Sequence, residues 1–218
     1  MHILIIGFPR SGTSLTHRII SKHPAVFEMW FEKWILKQAN SKEELLKKHP
    51  YFKRTTGEKI IWEKRVTGKI GKTDKNIIDY ALKWNDWFKQ DAKIIQIVRH
   101  PYDSLNSLKI SKKKFPRGPS FNTVYPEYLN NASRFFDGLK MIPNCLTIKY
   151  ENLVTDPDNM IRRLYEHCNI DPLHKHSEKM KIRRMFNYKH KDFLFEYDDR
   201  LKKIVETLNQ IPGIKYDV

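Results

Sequence analysis

Cysteine is scarce in this chain: Cys145 and Cys168 are the only two among 218 residues, which argues against a disulfide framework and leaves reduced thiols as the expected state. Long apolar runs are missing as well. No stretch approaches the roughly 18 consecutive apolar residues of a membrane span, and no basic segment with an apolar signal core precedes the first strand, so the chain reads as cytoplasmic. Acids are outnumbered, 25 against 41 lysines and arginines, and the resulting formal charge of +16 predicts a surface that attracts anions. Nucleotides, sulfated or phosphorylated polymers, nucleic acid and acidic lipids all qualify, and charge alone does not choose among them. Repeats and low-complexity tracts are absent too. A mean hydropathy of −0.64 suits a soluble globular protein, and the length suits one substantial core, so residues 1–218 are expected to form a single domain.

Glycine is sparse, eight in all, yet two fall within the first twelve residues. Ile3-Leu4-Ile5-Ile6 reads as a strand buried on both faces, and Leu15, Ile19 and Ile20 read as the buried side of a helix. Between them, Gly7-Phe8-Pro9-Arg10-Ser11-Gly12-Thr13-Ser14 has the G-x-x-x-x-G spacing of a phosphate-binding loop. Such a loop closes backbone N–H groups around anionic oxygens at the positive end of a helix. The lysine of a nucleoside-triphosphatase loop is missing, since position 13 is threonine. Positive charge sits instead on Arg10, whose planar guanidinium can grip two oxygens of one group. The plain alternative is a tight turn with an incidental arginine.

Further along, His23-Pro24 ends the first helix and an aromatic segment follows, in which Glu28 and Glu32 lie among Phe27, Met29, Trp30, Phe31 and Trp34. A carboxylate drawn into such a wall has a raised pKa and suits a general base, whereas one facing water is merely a polar face. Residues 41 to 54 read as a charged surface helix and a loop, and Lys59 to Val66 as a second buried strand with charges at its C-terminal end. Residues 74 to 90 read as a helix burying Ile77, Ala81, Trp84 and Phe88, with Asp74 as N-cap. Lys93 to Val98 is the clearest later strand. It runs into Arg99-His100-Pro101, where proline opens a helix that carries Ser107 about two turns in. Arg99 and Ser107 can converge on one anion, a second site beside the one at Arg10.

Lys112 to Pro119 reads as a basic surface loop, without the aromatic interleaving of a nucleic-acid platform. A helix from about 125 to 141, a strand Leu146 to Tyr150, a helix begun by Asp156-Pro157, and a last amphipathic helix at about 198 to 210 complete the chain. His167, Cys168, His174 and His176 match no standard zinc spacing, so no metal is expected. The cation-dense run 179 to 191 either folds over an anionic group or is a solvated face. Strands alternating with helices imply an α/β fold, a parallel sheet flanked by helices with its ligand site at the strand ends.

Taken together, these motifs resemble the sulfotransferase family, whose P-loop-like fold transfers a sulfuryl group from 3′-phosphoadenosine 5′-phosphosulfate (PAPS) to an alcohol or amine. Pro9 to Ser14 resembles its 5′-phosphosulfate loop, Val98 to Ser107 its 3′-phosphate motif, and Tyr150 to Pro157 the Tyr-Glu-Asp-Leu segment after the fourth strand. The resemblance implies that Arg10 and the backbone N–H groups of Ser11, Gly12, Thr13 and Ser14 hold the 5′-phosphosulfate, and that Arg99 and Ser107 hold the 3′-phosphate. It implies PAPS as donor, adenosine 3′,5′-bisphosphate (PAP) as product and no metal. Glu32 lies where the glycosaminoglycan-type Golgi branch carries its base, with Glu28 as competitor, which points to the carbohydrate-type branch rather than the cytosolic phenol and steroid type. Lys64 matches the lysine of a Glu-Lys-Thr-Pro stretch, although Arg65 and Val66 replace its last two residues. The acceptor is then a small molecule or carbohydrate, with anionic character favoured by the net charge. A P-loop nucleotide kinase and a non-catalytic polyanion-binding module are the rival readings.

Overall fold

The computed structural model describes residues 1–8, 10–28, 36, 39–49, 60–64, 74–114, 126, 129, 132, 135–138, 140–172 and 199–217, with the backbone alone at 27, 28, 60–64, 74–77 and 111–114. Five strands form one sheet in the order β2-β3-β1-β4-β5, where β1 is His2–Gly7, β2 Val26–Glu28, β3 Ile60–Lys64, β4 Ala92–Val98 and β5 Cys145–Lys149. All four pairings are parallel. The uninterrupted apolar run of β1 follows from its place: it is the central strand, covered on both faces, and all six of its residues are buried.

Side chains alternate across the sheet with the period of two that a pleated strand imposes. Leu4, Ile6, Ile94 and Val98 join one core with Trp84, Phe88, Leu105, Phe135, Phe136, Ile204 and Leu208. Ile3, Ile5, Ile95 and Ile97 join the other with Ile19, Ile20, Ile148, Leu153, Leu164 and Tyr165. The first face is therefore covered by α3 (Asp74–Phe88), α4 (Pro101–Lys114), the helical residues 135–138 and the C-terminal α7 (Asp199–Asn209). The second is covered by α1 (Thr13–Ser21), α5 (Tyr150–Thr155) and α6 (Pro157–His167). A short α2 (Lys42–Lys48) opens on Ser41, whose hydroxyl accepts from the Glu44 amide at 3.2 Å.

Several expectations are adjusted. Asp74 is the first helical residue of α3 rather than its cap. Lys112, Lys113 and Lys114 continue α4 instead of forming a loop. Tyr150 leaves the strand and begins α5. Asp156 does sit at the N-cap of α6 with Pro157 behind it, but its carboxylate accepts from the Asn159 side chain at 3.1 Å rather than from a backbone amide. Among the described residues no helix is long and apolar enough to cross a membrane.

At the N-terminal pole of the sheet, His2 is buried and stacks on Phe88 with ring centroids 3.8 Å apart. Burial pushes its imidazole down to about 3, and the neighbouring terminal amino group and Lys42 push in the same direction. His2 therefore folds neutral but takes up a proton in the unfolded chain once the pH falls below about 6.5. The unfolded state then binds more protons, so stability falls with pH across the window from 6.5 down to about 3, at up to about 1.4 kcal/mol per pH unit. Urea midpoints measured from pH 7 to pH 4 should show this decline in the wild type, and His2→Phe, which keeps the stacking and loses the titration, should flatten it.

Candidate active site

The loops after β1 and β4 meet at the C-terminal edge of the sheet. From β1 the chain goes to β2 and β3 on one side, and from β4 it goes to β5 on the other, so the crevice between them is the topological switch point where open α/β sheets bind ligands. Phe8 and residues 10–12 form the first wall and Arg99-His100 the second.

The first loop is built around two glycines. A Cβ on Gly7 would lie 2.5 Å from Ser11 Oγ and 2.9 Å from the Ile97 carbonyl oxygen, so only glycine lets the loop fold back onto the sheet. Gly12 has φ +109°, and a Cβ there would lie 2.4 Å from the Tyr150 ring. Between them Arg10 takes a left-handed φ of 68°, unusual for a residue with a side chain, and its carbonyl accepts from Arg99 Nη1 at 3.1 Å. The Ser11 amide, expected among the anion donors, instead closes the turn by donating to the Phe8 carbonyl at 3.1 Å. The amides of Gly12, Thr13 and Ser14 belong to the start of α1, where helical geometry supplies no intrahelical acceptor and no side chain caps the helix.

The second wall brings in the remaining cation. Arg99 is 5% exposed, and its guanidinium carbon stands 4.5 Å over the Tyr150 ring. Ser107, 8% exposed, faces the same crevice from α4 and accepts from Arg10 Nε at 3.1 Å. The two arginines expected at separate anion sites thus share one crevice, fixed there by a hydroxyl, a carbonyl and an aromatic face. Tyr150 supports both walls, lying against Gly12 and under Arg99. Burial raises its phenol pKa, and Arg99 opposes that rise. Its place in the Tyr-Glu segment was visible in the sequence, but its role was not, because that role depends on contacts across more than a hundred residues.

The other expected site residues are less fully described. Glu28 ends the edge strand β2 and Lys64 ends β3, paired in register with Ile5 of β1, so both reach the same C-terminal edge as the loop. Glu32 and the basic run 179–191 lie outside the described residues, as do His174 and His176. His167 meets the Ile94 carbonyl at 3.1 Å, and burial pushes the Cys168 thiol up to about 12. Among the described residues no group of three or more potential metal ligands forms.

The described residues suit a nucleotide bearing two anionic groups. Ser11 Oγ, 1% exposed, has no hydrogen-bond partner among the described residues, and it lies in the loop that Gly7 and Gly12 allow to pack closely on the sheet and on Tyr150. Residues 1–204 match the model of the sulfotransferase domain, and the chain belongs to that family. Its reaction is the transfer of a sulfuryl group from PAPS, with PAP as the other product, and the nucleotide-kinase reading falls with that assignment. No curated protein matches the sequence significantly.

Solved structures share the fold. The sulfotransferase domain of the Synechococcus PCC 7002 olefin synthase is 15% identical with a TM-score of 0.65, covering 99% of this chain and 94% of that one. The sulfotransferase domain of the curacin biosynthetic pathway is 14% identical with a TM-score of 0.62, covering 95% and 96%. Mouse sulfotransferase SULT7A1, solved with PAP, is 20% identical with a TM-score of 0.54, covering 84% of this chain and 63% of the mouse protein. Since a mouse enzyme stands beside pathway domains, fold likeness does not assign the chain to the carbohydrate branch.

Gly12→Ala tests the close approach to Tyr150. Left-handed strain alone costs about 1–3 kcal/mol, and the collision with the ring adds to it. Chemical denaturation should show a loss at or above the top of that range, together with loss of PAP binding in whatever fraction stays folded.

Proposed function

We propose that Arg10, with the amides of Gly12, Thr13 and Ser14, holds the 5′-phosphosulfate of PAPS, and that Arg99 and Ser107 hold its 3′-phosphate. The observation that carries this reading is the meeting of Arg10, Arg99 and Ser107 through two 3.1 Å contacts at the switch point. Arg10 rests on Ser107, and donor binding exchanges that contact for phosphate oxygens. Residues 1–218 are read as one sulfotransferase domain. The acceptor approaches from the β2–β3 side of the edge, where Glu28 and Lys64 end their strands and where the chain continues toward Glu32.

In the chemical step Glu32 takes the proton of an acceptor hydroxyl as that oxygen forms its bond to sulfur. The bond from sulfur to the 5′-phosphate oxygen breaks in line, and Arg10 stabilises the charge gathering on that oxygen as PAP departs. Lys64 is assigned to orienting the acceptor, and Glu28 is the second candidate for the base. The acceptor class we favour is a carbohydrate or small molecule of anionic character, on the strength of the +16 formal charge and of Trp30, Phe31 and Trp34, aromatic residues that suit a sugar.

Two substitutions test the roles. Arg10→Ala should lower kcat by about 10²–10³-fold with folding intact, as loss of a fixed group stabilising transition-state charge does in other enzymes; near-normal turnover would remove Arg10 from the mechanism. Glu32→Gln should lose turnover while retaining PAP affinity, and an active Glu32→Gln enzyme would transfer the role to Glu28. A screen of hydroxyl and amine acceptors with labelled sulfate donor identifies the substrate.

A further inference from the structure

The loop that carries Arg99 is tied to the C-terminal tail by a chain of contacts that the transfer reaction does not itself use. The His100 amide donates to Glu151 Oε1 at 2.9 Å, and the Tyr216 hydroxyl donates to Glu151 Oε2 at 3.0 Å. His100 is the residue before α4, and its own carbonyl accepts from the Ser104 amide at 3.0 Å. Because a peptide unit is planar, holding the His100 N–H also holds the Arg99 carbonyl and restricts rotation about the bond that aims the Arg99 backbone. The next residue is Pro101, which has no N–H of its own, so Glu151 secures the amide nearest the turn.

Tyr216 is itself rigidly placed. Its backbone exchanges two hydrogen bonds with the Asn209 side chain, at 2.9 and 2.7 Å. Its ring meets His100 edge-on with centroids 5.2 Å apart, and the Lys149 ammonium lies 4.1 Å from the ring centre. Ile211 and Ile214 bury the intervening tail. The carboxylate beside the cationic crevice is thereby occupied on both oxygens, and its negative charge is spent on the N-terminal end of α4.

We propose that Glu151 and Tyr216 are positioning residues, a strut from the C-terminal tail that sets Arg99 and thereby the preference of the site for nucleotides bearing a 3′-phosphate. The inference rests on the reading that Arg99 and Ser107 hold that phosphate. Both act through the backbone beside Arg99, so the effect belongs to discrimination between nucleotides rather than to the chemical step.

The test is titration calorimetry with PAP and with adenosine 5′-monophosphate, which lacks the 3′-phosphate. Tyr216→Phe, which removes one hydroxyl and keeps the ring, should weaken PAP about three- to tenfold and leave adenosine 5′-monophosphate unchanged, while kcat at saturating PAPS holds. Glu151→Gln should shift the ratio the same way, and melting curves on both variants check that the fold is kept. A merely structural role would weaken both nucleotides equally; an unchanged ratio in the two variants overturns the proposal. Arg99→Lys serves as the reference. If it abolishes the preference while the other two keep it, the strut alone fails, and if it leaves the preference intact, the assignment of the 3′-phosphate to Arg99 fails and takes the strut with it.

Discussion

The hydrogen bond from the Arg99 guanidinium to the Arg10 carbonyl joins two segments 89 residues apart, and the donor site depends on it. It requires β1 and β4 to be adjacent, Arg10 to adopt a left-handed backbone that turns its carbonyl toward the neighbour, and Tyr150 to lie under Arg99 and against Gly12. Each requirement is met by a different kind of residue. The apolar strands set the adjacency, the glycines allow the close approach, and an aromatic ring supplies a neutral face on which a cation rests without being neutralised.

The crevice divides by chemistry along the strand ends. On the β1–β4 side, cations, helix-start amides and hydroxyls favour a doubly anionic nucleotide. On the β2–β3 side the strands end at Glu28 and Lys64, the residues proposed for the proton and the acceptor. The parallel sheet makes this division possible, because every strand delivers its last residue to the same edge. The sulfotransferase chemistry of the family needs both kinds of surface within one crevice, and the strand order places them side by side.

Much of this was legible in the order of residues. The run Ile3 to Ile6, the spaced glycines, the Arg99-to-Ser107 interval and the periodic stripes of α6 and α7 are local signals, set by periods of 2 and 3.6 and by loop chemistry. What escaped was decided at long range. Lys112 to Lys114 extend α4 although their charges and the nearby Pro116 resembled a loop, and Tyr150 turns into a helix because its ring is required beneath Gly12. The Ser11 amide was assigned outward by analogy with helix starts, yet it closes its own turn. The Tyr-Glu segment marks Glu151, but nothing in a single sequence shows that its carboxylate is shared with Tyr216, 65 residues on.

The strand order also has a consequence for how the molecule comes into being. The loop after β1 is made before everything that holds it: its neighbours follow in the order β2, β3, β4, β5, and the supporting ring of Tyr150 comes after them. Until β3 and then β4 are made, the central strand has hydrogen-bonding edges waiting, which is the slow and association-prone condition of parallel sheets. A nascent chain stopped before the fifth strand would carry the loop's residues without its shape. The nucleotide, binding only the finished crevice, would act during synthesis as a late-stage stabiliser of the completed fold.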